Sequence, residues 1–285
     1  WGNEELGDYK YWGGKKDIQR MLEDNGYKVF NVSVGPVSSN WDRAIEVFYQ
    51  LKGGQVDYGL AHSTKYNLNQ KPSDKIYEGL YKEWSSDNPV HLIGHSMGGQ
   101  TARMLQYLLE NEFYINDSLR SKEDSELLGS SYRGWVTSIT SLATPHDGST
   151  LADIVTKTSP FIQYFIGLAG LVGTSFYDFD LSQWNIKRDS NETWSKYVQR
   201  MRGHNAWSTK NISSWDLSLD GAAELNTYLK ASSDVYYFSY VFSATSKNKV
   251  TGYHAPNKDV FLLIRSRAKL LGSRIVFTGN GSETD

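Results

Sequence analysis

The chain has 285 residues, no cysteine and a formal charge of −2 at pH 7, enough for one large domain or two ordinary ones. The absence of cysteine excludes disulfides, cysteine-ligated zinc and a thiol nucleophile together. A near-neutral chain with no run of lysines or arginines offers no basic face for phosphate, so nucleic acid is not an expected partner. Apolar residues at 39% and charged residues at 22% are those of a folded globular protein. Aromatics at 14% suit an aromatic-heavy core or an apolar pocket equally. The start, Trp1-Gly2-Asn3-Glu4-Glu5, lacks the basic residues and apolar stretch of a signal peptide.

Lys15 to Asn25 sets Ile18, Met21 and Leu22 on one face and reads as a helix that Gly26 closes. Tyr27 to Val34 alternates like a strand. Asn40 stands where it would cap a helix from Trp41 to about Leu51. The polar stretch 52–74 reads as an inserted loop region, and Lys75 to Trp84 as a helix. A short apolar strand from Val90 to Ile93, a helix from Gln100 to Glu110, and strands Trp135–Leu142 and Val235–Phe242 follow. Alternating strands and helices predict an α/β domain over residues 1–285, a mostly parallel sheet with helices on both faces. The interval 153–225 shows no clear strand and is expected to stand over the sheet. Within it Pro160 to Gly173 is the most apolar run, too short and too glycine-broken to span a membrane. By its apolar pattern alone it reads as a buried helix.

His91 to Gln100 contains Gly94-His95-Ser96-Met97-Gly98, a G-x-S-x-G motif directly after a strand and directly before a helix. Chemistry explains the pattern. A nucleophilic serine must sit on a sharp strand-to-helix turn, where residues without a Cβ at positions 94 and 98 let the flanking backbones approach. Such a turn lifts the hydroxyl of Ser96 off the sheet and leaves the Met97 amide at a helix N-terminus, able to donate to an oxyanion. The hydroxyl needs a base, and the base a carboxylate, in the chain order Ser, acid, His. Downstream of Ser96 stand only His146, His204 and His254. His146 follows a strand on the correct edge of the sheet, but Asp147 is adjacent in sequence, a poor geometry for a triad pair, and is expected to shape the loop. His204 and His254 lie in polar stretches and read as surface residues.

Taken together, Tyr11-Trp12-Gly13-Gly14, Ser39 to Ala44, Gly53 to Gly59 with Ala61-His62, Gly94 to Arg103, Ala143 to Gly148, Tyr177-Asp178-Phe179 and Gln183-Trp184 make the chain resemble the large secreted triacylglycerol lipases of staphylococci and thermophilic bacilli. The resemblance implies an α/β-hydrolase fold with an inserted subdomain and a helical lid over 153–225, for which Pro160 to Gly173 is the candidate. It implies hydrolysis of acylglycerol esters at a lipid–water interface by a secreted serine lipase, with Ser96 as nucleophile and Met97 as one oxyanion amide. The second oxyanion donor, the catalytic Asp and the catalytic His would lie outside residues 1–285. No cofactor is needed for that chemistry. The family's structural calcium would bind mainly beyond Asp285. Its zinc, held by two Asp and two His, would retain Asp42 and His62 here, while the other two positions fall near Leu68 and on Asn211. Leu and a neutral amide are not normal zinc ligands, so Asp42 and His62 are expected to serve the fold by hydrogen bonding. Two other readings stay open: a carboxylesterase, thioesterase or acyltransferase of the same fold, or a non-catalytic lipid-binding module if the native chain ends at Asp285.

Overall fold

A computed structural model describes residues 5–6, 9–116, 121–150, 152, 182–184, 191–201, 209–250, 254–258, 260, 265, 276–277 and 283–284. The described elements begin with a small hairpin of β1 (Glu5–Leu6) and β2 (Tyr9–Lys10), then α1 (Ile18–Glu23) and α2 (Asn40–Lys52). Next come β3 (Gly54–Gln55), α3 (Leu60–Tyr66), β4 (Ile76–Tyr77), β5 (Val90–His95) and α4 (Met97–Glu110). After the hairpin of β6 (Tyr114–Asn116) and β7 (Ser121–Lys122) stand β8 (Val136–Leu142), α5 (Trp194–Met201), α6 (Ser213–Asp216), α7 (Leu219–Tyr228) and β9 (Tyr236–Tyr240). The expected helix over Pro160 to Gly173 lies outside the described residues.

The strands that carry the site form one parallel sheet in the order β5-β8-β9. Its register sets Gly94 against Ser141, His95 against Leu142, and Leu142 against Tyr240. Parallel strands need a covered crossover, and α4 supplies it by returning over β5 and β8. The core lies beneath α4 and α2. Ala44, Ile45 and Phe48 from α2 meet Met104, Leu105 and Leu108 from α4, closed by Trp84, Leu127 and Ile139. The α2 and α4 spacings follow the helical period that the sequence shows, so each helix presents an apolar stripe to the other.

Four expectations are corrected. Lys75 to Trp84 is not a helix: only β4 is regular there, paired antiparallel with β3. A helix end leaves its last carbonyls unpaired, and this segment fills them, since Leu80 N and Tyr81 N donate to the Gln50 and Leu51 carbonyls at 2.9 and 2.7 Å. Gly79 makes the turn possible. It stands at φ +84, and a Cβ there would lie 2.5 Å from the Lys52 carbonyl oxygen. Tyr27 to Val34 carries no strand; Ser33 N and Gly35 N donate to the side chains of Gln50 (3.1 Å) and Glu46 (2.6 Å) on α2 rather than to a neighbouring strand. The cap of α2 is Ser39, one residue earlier than expected, whose hydroxyl accepts from Asp42 N at 3.2 Å. Finally, the stretch 52–74 is not a plain loop, because it holds β3 and α3. The α3 N-terminus is capped from far away, with Leu60 N and Ala61 N donating to the Glu123 carboxylate at 2.8 and 2.7 Å.

Candidate active site

Ser96 is the hinge between β5 and α4, and its backbone is unlike that of its neighbours. It has φ 54° and ψ −130°, a conformation that costs a residue with a Cβ of order 1–3 kcal/mol and persists only where the surroundings impose it. Three constraints impose it. Ser96 N donates to the Leu142 carbonyl at 2.9 Å, continuing the β5–β8 ladder one residue past the strand. Gly99 N donates to the Ser96 carbonyl at 3.2 Å. The third constraint is crowding, because a Cβ on Gly94 would sit 2.3 Å from the Gly98 carbonyl carbon.

The motif's second glycine is another matter. A Cβ on Gly98 would meet nothing within 4 Å, whereas one on Gly99 would lie 2.2 Å from Thr144 Oγ1 and 2.9 Å from Ser141 Oγ. The close approach of β5 to the start of α4 therefore rests on Gly94, and the packing of α4 against β8 and the residues after it on Gly99, a correction to the expectation for Gly98.

Met97 opens α4, so no carbonyl one turn behind it inside the helix takes its N–H. Its side chain is fully buried, and its sulfur accepts from Arg43 Nη1 at 3.0 Å. Thr101 Oγ1 donates to Asn40 Oδ1 at 2.8 Å, and Asn40 N donates to the Asp216 carboxylate at 2.5 Å. A buried polar layer thus ties the start of α4 to α2 and α6. Burial dominates its titration. It lowers the Arg43 guanidinium to about 10 and raises Asp216 and Glu46 each to about 7. The Glu46 carboxylate also takes the Tyr58 hydroxyl at 2.9 Å.

Each of the five described histidines has a side-chain partner. His91 Nδ1 pairs with Ser138 Oγ at 2.8 Å, and His254 Nδ1 with Thr245 Oγ1 at 3.0 Å. His95 Nδ1 meets the Tyr11 hydroxyl at 2.7 Å, and burial lowers its pKa. His146 Nδ1 accepts from Arg103 Nη1 at 3.3 Å, and its pKa is lowered by burial first and by that guanidinium second. Asp147 does shape its loop: Asn226 Nδ2 donates to the Asp147 carboxylate at 3.1 Å and to the His146 carbonyl at 2.9 Å. His204 lies outside the described residues. A histidine–carboxylate pair does occur among the described residues, but it joins His62 to Asp42 at 3.0 Å, between α3 and α2 and not at the β5–α4 turn.

Asp42, His62 and Asn211 are brought together although they are far apart in sequence. Asp42 is fully buried; His62 Nε2 meets one carboxylate oxygen, and Asn211 Nδ2 donates to the other at 2.7 Å. The set does not fit a zinc ion. It offers one carboxylate and one imidazole with an amide, and no group of three or more metal-ligating His, Cys, Asp or Glu exists among the described residues. The contact of Asn211 with Asp42 has no local signal in the sequence, being 169 residues distant.

A parallel sheet with a serine on the strand-to-helix turn and a covering helix defines an α/β-hydrolase. The family described as "Lipase-like, C-terminal domain" matches residues 6–276, and the chain belongs to that family. It is 39% identical over 243 residues to "Lipase 1" of Staphylococcus aureus, an alignment covering 83% of this chain and 35% of that relative. The chain therefore spans about a third of the length of this relative. Among solved structures it is similar to EstA from Clostridium botulinum, with TM-score 0.86 and 39% identity over 100% of this chain and 68% of the other. It is likewise similar to lipase 1 from Pelosinus fermentans, with TM-score 0.79 and 38% identity over 100% and 76%.

Proposed function

We propose that this chain carries the nucleophile half of a serine lipase that hydrolyses carboxylic esters of acylglycerols, with Ser96 as the nucleophile. The observation that carries the reading is the backbone of Ser96 itself: φ 54° and ψ −130° on a non-glycine residue, exactly between a parallel strand and a helix. Such strain gathers where it serves function. The hydroxyl oxygen attacks the ester carbonyl carbon, and the carbonyl oxygen takes up the negative charge. The Met97 N–H stands at the positive end of the fourteen-residue α4 and would receive that charge. The proton from Ser96 passes to a histidine oriented by a carboxylate, in a Ser-His-Asp mechanism. By the family resemblance, that histidine and its carboxylate would lie outside residues 1–285.

Support for lipid as substrate comes from the names of the relatives and from family membership. By the family resemblance, the intact protein would be secreted and would work at a lipid–water interface. No described helix is long and apolar enough to cross a membrane. The test is a Ser96→Ala variant of the full-length protein assayed with a chromogenic ester. We expect loss of the acyl-enzyme burst and of fluorophosphonate labelling, with unchanged circular dichroism. A burst that survives the substitution would overturn the assignment.

A further inference from the structure

The hydrogen bonds at Asp42 use the very atoms that a metal would need, and from this we propose that Asp42, His62 and Asn211 form a metal-independent staple in this protein. An ionised carboxylate accepts and cannot donate. His62 Nε2 lies 3.0 Å from Asp42 Oδ1, so the imidazole nitrogen that faces the centre is already taken up by the carboxylate as a hydrogen-bond partner. The same logic orients Asn211. Its Nδ2 donates to Asp42 Oδ2 at 2.7 Å, so the amide presents N–H rather than oxygen to the centre.

The surroundings complete the staple. The His62 ring lies flat on Trp41, with centroids 4.9 Å apart and planes 6° from parallel, and Tyr66 packs against it at 4.9 Å. Both neighbours fix the imidazole without adding a ligand. A buried carboxylate is costly unless hydrogen-bonded, and here each of its two oxygens has a side-chain partner. They reach it across 20 and 169 residues of sequence, so a single side chain of α2 holds α3 and the segment before α6. Electrostatics points the same way. A dication held by Asp42 alone would leave a net positive charge in a buried site, whereas a second carboxylate at position 211 would balance it. Asn211 withholds that charge, and the protein gains from hydrogen bonds the cross-link that zinc would otherwise supply.

Two measurements on the full-length protein, purified from zinc-containing medium, test this. The first is zinc content with the thermal midpoint before and after 1,10-phenanthroline, a chelator that spares calcium. We expect no zinc dependent on His62, and a midpoint unmoved by the chelator. Zinc that persists in a His62→Gln variant lies elsewhere and leaves the proposal standing; about one zinc per chain that disappears with His62 overturns it. The second measurement uses Asn211→Asp, which sets a second carboxylate beside Asp42. Without metal its midpoint should fall by about 5 °C from like-charge repulsion, and added zinc should restore it. Zinc addition should leave the wild type unchanged. A wild type that is itself stabilised by zinc through His62, or an Asn211→Asp variant as stable as wild type without zinc, would also overturn the staple.

Discussion

At the level of single residues, the turn around Ser96 separates two glycines that a motif treats alike. A methyl group on Gly94 collides with main-chain atoms of Gly98, which no side-chain rotation can relieve. The same methyl on Gly98 enters open space and no positive φ opposes it. Gly94→Ala should therefore cost about 3 kcal/mol or prevent folding. Gly98→Ala should leave stability within about 0.5–1 kcal/mol, the alanine's better helix propensity working in its favour. Urea denaturation of the two variants decides this, and equal destabilisation would mean that the turn packs differently from the structure. Any activity lost in Gly98→Ala would then come from blocking space beside the hydroxyl of Ser96, not from unfolding.

Secondary-structure elements show why some of the fold is written locally and some is not. The helix α4 was legible because one face of it repeats apolar residues at the helical period, and strands β5, β8 and β9 because they are short runs rich in β-branched, aliphatic or aromatic residues. The span from Lys75 to Trp84 misled for a physical reason. Its apolar spacing imitates a helix, but its backbone is claimed by the end of α2 through Leu80 and Tyr81, a partner some thirty residues away that no local pattern reveals. The strand-like alternation of Tyr27 to Val34 was real as burial, since Phe30, Val32 and Val34 pack on the core, yet Ser33 exchanges hydrogen bonds with the Gln50 side chain of α2 and not with a neighbouring strand. In the candidate site, the strand-to-helix turn that holds Ser96 and Met97 was legible from five consecutive residues. The Asp42 staple could be approached only through the family resemblance, because Asn211 is remote in sequence. A comparable long-range tie is Arg103 on α4. It donates through Nη1 to Asn226 Oδ1 at 3.1 Å and through Nη2 to the Leu229 carbonyl at 2.6 Å, while also meeting His146. Arg103→Met keeps the apolar stem and removes these bonds, leaving a half-buried carbonyl without its donor. It should destabilise by about 2–3 kcal/mol, read as a fall in the denaturation midpoint. A change below about 0.5 kcal/mol would show that α7 is held to α4 by packing alone.

Across the whole molecule, the buried charge layer beneath the turn should govern how stability depends on pH. Asp216 and Glu46 each ionise at about 7 in the folded protein because burial disfavours their charged forms, against ordinary values of 3.8 and 4.5. A folded pKa above the unfolded one means that the folded state binds protons more tightly between the two values. Stability is then greatest below the unfolded pKa, declines as pH rises from about 4 to about 7, and stays level above that as far as these two groups are concerned. Arg43 does not cancel the trend. Its own pKa, lowered to about 10 by the same burial, lies outside the window, and it remains a cation throughout. Its attraction lowers both acids, as the Asn40 and Gly35 amides also do, but burial outweighs them. Asp216→Asn keeps an oxygen to accept the Asn40 N–H and removes one of the two titrations. Denaturation of wild type and variant at pH 5 and pH 8 should show a smaller loss of stability in the variant, with the remainder set by Glu46. If the variant loses as much as the wild type, Asp216 stays ionised throughout that range, and the attraction of Arg43 outweighs the burial of its charge.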